Sequence, residues 1–139
     1  MDWKMDKAAL NAFLHEAFPQ VAGDFHVEEA GEALSLRLVV SDQHLRPGGT
    51  VSGPTMFALA DVALYLAILQ RLGPVALAVT TNCAIDFMRK PAAGADLIGT
   101  ARILKLGRVL AVGDVLIRSV GQEGPVARAS LTYSIPPEP

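Results

Sequence analysis

Cysteine is almost missing from this chain. Among 139 residues there is one, Cys83, so no intrachain disulfide can form and the default compartment is reducing and cytoplasmic. No histidine or second cysteine stands near it, which argues against a zinc site and a cysteine nucleophile. In its strand-like run it reads as a small buried hydrophobe. His15, His26 and His44 show no metal-ligand spacing, and His44 reads as a loop residue; neither a metal nor a cofactor is expected. Charge is sparse as well. Charged residues make up 19% of the chain, the net charge is −2 and no basic run occurs, which disfavours nucleic acid as a partner. The opening MDWKMDKAALNAFLHEAF is amphipathic rather than basic and then apolar, unlike a signal peptide. The apolar stretch 56–69 is about 14 residues, short of the roughly 20 that cross a bilayer, and Asp61 interrupts it; no membrane span is expected.

What the chain does have is apolar content, 51% of its residues, enough for one core and one domain over 1–139. So much apolar surface on a small domain points to a subunit interface, hence a homodimer or a pair of dimers. Within the N-terminal segment 1–20, Leu10, Phe13, Leu14 and Phe18 recur at helical spacing over 5–18, and Pro19 stops the helix. Residues 25–40 alternate, with Leu34, Leu36, Leu38 and Val40 on one face, and Gly31 marks a turn or bulge before them. A helix over 54–72 follows, opened by Pro54 and closed by Gly73-Pro74. Strand-like runs at 76–88, 96–105, 109–119 and 126–135 come next, the last two joined by a GQEG hairpin turn, and the tail 136–139 is expected to fray. Short links between strands predict antiparallel neighbours, so the class is α+β. The 54–72 helix is apolar on nearly every side and needs cover all round. One curved sheet covers part of it, and a second subunit is the expected lid for the rest.

The chemistry concentrates in RPGGTVSGPTMFALADVALY, residues 46–65. A helix start carries backbone N–H groups without intrahelical partners, at the positive end of the helix dipole. Pro54 has no N–H, which leaves those of Gly53 and Thr55 to meet a carbonyl oxygen as it becomes an oxyanion. The same tripeptide, Ser52-Gly53-Pro54, also begins ordinary helices. Asp61 adds a second signal, because a carboxylate among apolar neighbours needs either a structural partner or a task. Eight residues separate it from Gly53, roughly 12 Å along a helix, too far for both to act on one carbonyl. Two such helices packed antiparallel about a two-fold axis would bring Asp61 of one to Gly53 of the other, giving two composite sites.

These residues resemble the hotdog-fold acyl-CoA thioesterases of the phenylacetate-degradation (PaaI-like) type. The pattern Asn-x-x-Gly-x-x-His-Gly-Gly, followed by a helix with Leu-x-Asp, lies without a gap on RPGGTVSGPTMFALAD: Gly49 and Gly53 match, as does Leu59-Ala60-Asp61. The segment TTNCAIDFMRKPAAGADLIGTARILKLGRVLAVGDV is similar to the family's second half, and the likeness runs over about 44–133. It implies a long central helix wrapped by a curved antiparallel sheet, dimeric and often tetrameric, and hydrolysis of an acyl-CoA thioester. It further implies that Asp61 is general base or nucleophile, that the Gly53 N–H polarises the carbonyl, and that a hydroxyl early in the next strand orients water. Thr80 is favoured over Thr81 for that role. This chain departs from the pattern at three places: Ser52 stands for His, Arg46 for Asn and Pro54 for the second Gly. Arg46 has no acceptor atom and cannot copy an Asn amide.

Further candidates follow from position. Tyr65 lies one turn past Asp61 on the same face, and Asn82 shares strand parity with Thr80. Arg89, Lys90, Lys105 and Arg108 sit at turns as possible CoA phosphate contacts. A rival of the same fold binds acyl-CoA without turning it over.

Overall fold

A computed structural model describes residues 3–75 and 77–137. Ala76, with which the first long strand was expected to begin, and the last two tail residues lie outside the described residues. The elements are α1 (Lys7–Ala17), β1 (Phe25–Glu29), β2 (Leu34–Leu38), a 3-10 turn (Asp42–His44), α2 (Gly53–Leu72), β3 (Val79–Phe87), β4 (Leu97–Leu106), β5 (Leu110–Ser119) and β6 (Pro125–Ser134). One six-stranded sheet runs in the order β1-β2-β4-β5-β6-β3, and every pairing is antiparallel. It curves around α2, which is the hotdog arrangement.

Two expectations change. The region 25–40 is a hairpin of two strands rather than one strand preceded by a turn. Gln70 of α2 holds Gly31 at its tip by both main-chain groups, at 3.0 and 2.6 Å, and so fixes the break. β3 and β4, adjacent in sequence, are not adjacent in the sheet. The connector 88–96 crosses the far end of β5 and β6, where Met88 N–H donates to the Val126 carbonyl and Ala92 N–H to Ser119 Oγ. β3 thereby becomes an edge strand.

The core lies between the concave face of the sheet and α2, with Leu34, Leu36 and Leu38 from β2 against Leu59, Leu64 and Leu66. Gly113 in β5 exists for this contact: a Cβ there would collide with the Leu64 side chain and the Arg102 carbonyl. α2 has 20 residues, extends past the apolar stretch 56–69 at both ends, and is long and apolar enough to cross a membrane by length and composition. What keeps it in a globular core is the sheet around it, which buries more than half of it.

The helix is also better covered than expected. α1 packs over its C-terminal half, with Leu10 and Leu14 buried and Phe13 near Tyr65. The part left open is a stripe along the N-terminal half, where Pro54, Phe57 and Ala58 are exposed and Asp61 and Val62 half-buried. α1 has a second effect. Its Asn11 amide accepts from Val27 N–H at 2.8 Å and donates to the Val27 carbonyl at 3.2 Å, blocking the β1 edge. No such clamp covers β3 among the described residues.

Candidate active site

Asp61 lies on the open stripe of α2, and two hydroxyls converge on it. Thr80 Oγ1 donates to Asp61 Oδ1 at 2.5 Å, and the Tyr133 hydroxyl lies 2.6 Å from the same oxygen and 2.9 Å from the Asp61 main-chain carbonyl. Register explains the meeting. Thr80 and Tyr133 face each other across one rung of the β3–β6 ladder, so both side chains leave the sheet on one face. The three residues line a cavity of about 240 Å³ together with Phe18, Val62, Tyr65, Ala78 and Val79.

Aromatic rings hold the phenol in place. Tyr65 stacks on Tyr133 with centroids 5.9 Å apart, and Phe18 meets Tyr65 edge-on at 5.8 Å. Tyr65 donates its own hydroxyl to the Val75 carbonyl at 3.4 Å. It therefore lines the cavity but does not bond to Asp61. Burial, and after it the Asp61 hydrogen bond, pushes the Tyr133 phenol far above its ordinary range, while burial alone raises Tyr65. Both stay protonated donors. Burial and the Asp61 charge also raise the half-buried Cys83 thiol, which makes it a poor nucleophile.

A β-bulge separates the two neighbouring threonines. The ladder shifts between Thr80 and Asn82, so Thr81 is the extra residue, exposed and bonded to the Thr132 carbonyl at 3.3 Å. An extra residue reverses parity. Cys83 and Ile85 become the inward positions, and Asn82 is exposed away from Thr80. The shared parity expected for Asn82 does not hold.

At the helix start, Ser52 is the N-cap. Its Oγ accepts from Thr55 N–H at 3.3 Å and meets Thr55 Oγ1 at 2.9 Å. The Thr55 N–H is thus occupied, contrary to the two-donor expectation, and the Gly53 N–H alone has no protein partner here among the described residues. The entering loop is braced by His44, which is buried. Its Nδ1 accepts from Ser41 N–H at 2.9 Å, leaving Nε2 to donate to Asp24 at 3.3 Å. Its carbonyl accepts the Ser52 N–H at 2.9 Å. His44, which reads from the sequence as a plain loop residue, is thus a buried brace whose carboxylate partner lies 20 residues earlier.

Gly53 opens into a groove of about 410 Å³, lined also by Arg46, Phe87, Arg89 and Lys90. Arg46 stands at the neck of a tight turn in which its N–H donates to the Thr50 carbonyl, and Gly49 takes a left-handed φ of 84° that suits only glycine. Lys105 and Arg108 lie elsewhere. Arg108 lines a depression with Leu72 and Pro74 at the other end of α2, roughly 30 Å from Gly53 for a helix of this length. The basic residues thus form two groups rather than one. The Asp61 cavity and the Gly53 groove share no lining residue, so within one chain they are separate. Tyr133 is the residue that reading the sequence missed. Its signal was the alternation of Ala127, Ala129, Leu131 and Tyr133 on the inward face of β6, since a buried phenol requires a partner.

Residues 48–126 match the model of the thioesterase superfamily. A solved structure from Silicibacter sp. TM1040, assigned as a thioesterase, is 58% identical, with a TM-score of 0.93 over 99% of this chain and 96% of that one. A point mutant of the phenylacetic acid degradation protein PaaI from Thermus thermophilus is 29% identical, with a TM-score of 0.72 over 85% of this chain and 99% of that one. A Pseudomonas aeruginosa relative assigned by name as an esterase is 30% identical over 109 residues, 78% of this chain and 80% of its own.

Proposed function

The chain belongs to the thioesterase superfamily, in its hotdog-fold, PaaI-like branch, and from that premise we propose that it hydrolyses acyl-CoA thioesters at sites shared between two copies. The observation that carries this is the separation of Asp61, with its hydroxyl donors, from the free Gly53 N–H within one chain. A second copy across the uncovered β3 edge and the open α2 stripe would unite them. Phe57, Ala58 and Val62 on that stripe and the exposed Val79 and Phe87 on β3 supply apolar area for the contact.

In this reading the thioester carbonyl oxygen accepts the Gly53 N–H of one chain, and Asp61 of the other takes a proton from water as its oxygen attacks the carbonyl carbon. The resulting oxyanion collapses, the C–S bond breaks and the CoA thiolate leaves with the electron pair. The free acid remains. Thiolate departs without strong acid assistance because a thiol's pKa is near 8.5. Thr80 has committed its single proton to Asp61, so it holds the water only as an acceptor. Arg46, Arg89 and Lys90 beside Gly53 are placed for CoA phosphates.

The deciding assay is thiol release from a panel of acyl-CoAs. The wild type is expected to show saturable hydrolysis and Asp61→Asn to lose at least about 100-fold in kcat. A wild type inert on the whole panel rejects the reading; a fully active Asp61→Asn rejects the assigned base.

A further inference from the structure

Both hydroxyls that reach Asp61 land on one of its two oxygens. Thr80 and Tyr133 share Oδ1, and no protein donor reaches Oδ2 among the described residues. A carboxylate turns about a broad, two-fold terminal torsion and can present either oxygen. Two donors fixed on one oxygen remove that freedom. Tyr133 is the stiffer of the two, because its ring is buried and stacked on Tyr65, which Phe18 and Phe13 back in turn. Its hydroxyl also lies 2.9 Å from the main-chain carbonyl of Asp61, but the shorter contact, 2.6 Å, places its one proton chiefly on Oδ1.

Packing alone does not account for the phenol. Two residues earlier, Leu131 fills the equivalent inward position on β6 without a polar atom. A phenylalanine would keep the aromatic stack. The hydroxyl adds the contacts to Asp61 and one to the Thr80 hydroxyl, and burial together with the acid keeps it protonated.

Resting on the assignment of Asp61 as base, we propose that Tyr133 is a positioning residue of the hydrolysis: its hydroxyl locks the carboxylate so that Oδ2 is the oxygen that takes the proton from water. Tyr133→Phe is the test, with Asp61→Asn for comparison. Tyr133→Phe is expected to lower kcat about 10- to 100-fold, with KM unchanged and the melting temperature close to that of the wild type. An independent signature comes from carbon-13 at tyrosine Cζ. The chain has two tyrosines, and Asp61→Asn should move the Tyr133 resonance while leaving that of Tyr65 in place. An active wild type whose Tyr133→Phe variant keeps kcat, or loses activity through KM alone, overturns this proposal. So does a Tyr133 resonance indifferent to Asp61→Asn. A wild type that hydrolyses no acyl-CoA overturns the underlying reaction and this role with it.

Discussion

Thr80 and Tyr133 are opposite partners on one rung of the β3–β6 ladder, and both hydroxyls bond to Oδ1 of Asp61. Two donors on one acceptor are coupled. When one is lost the carboxylate can turn, and the other is worth less. In a cycle of Thr80→Val, Tyr133→Phe and the double variant, the double loss in kcat should fall short of the product of the singles by at least about threefold. Losses that multiply would show two independent contributions.

Subunit mixing tests the shared site. Gly53→Pro removes the unpaired N–H at a first-turn helix position where proline is compatible with the backbone, though its ring requires the Phe87 side chain to shift. Asp61→Asn removes the base. Each variant alone should be nearly inert. After subunit exchange, random pairing makes about half the dimers mixed, each with one intact site, so about a quarter of wild-type activity should return. A mixture that stays inert while both variants remain folded would place Asp61 and Gly53 in a single chain's site.

The raised Tyr133 phenol also bears on stability at high pH. Burial, then the Asp61 bond, makes the folded state hold a proton that the unfolded chain releases above about pH 10. The folded pKa is the higher one, so this contribution is complete below about pH 10 and is lost as pH rises towards the folded value. Urea midpoints measured at and above pH 10 should decline more steeply for the wild type than for Tyr133→Phe. Parallel declines would mean that the phenol's environment is ordinary.

Asn11 is expected to matter more than an exposed helix residue would. Asn11→Ala leaves the N–H and carbonyl of the fully buried Val27 without their side-chain partner, at a cost of about 1–3 kcal/mol by urea denaturation. A change below about 0.5 kcal/mol would show that water replaces the amide freely.

Much of this was legible because local chemistry marks it. Ser52, Pro54 and Gly73 bracket α2 to within a residue, and the alternation of Leu34, Leu36 and Leu38 gives β2 its inward face. What was not legible depends on distance along the chain or on one extra residue. The bulge at Thr81 reverses the sense of every position after it, which removes Asn82 from the site. Tyr133 meets Asp61 from 72 residues away, and Asp24 meets His44 through a fold that no local spacing announces. The donor count at the helix start failed for a nearer reason, since the cap that starts the helix also occupies the Thr55 N–H.

The unequal edges of the sheet set a limit on growth. An exposed strand edge recruits further strands, and a sheet open on both sides can extend without end. Here the Asn11 clamp closes one side and β3 leaves the other free. Two copies joined through β3 would have nothing but closed sides facing outward. The pairing that would unite Asp61 with Gly53 would then also terminate the sheet, and a single amide on α1 would stand between a finite assembly and a fibre.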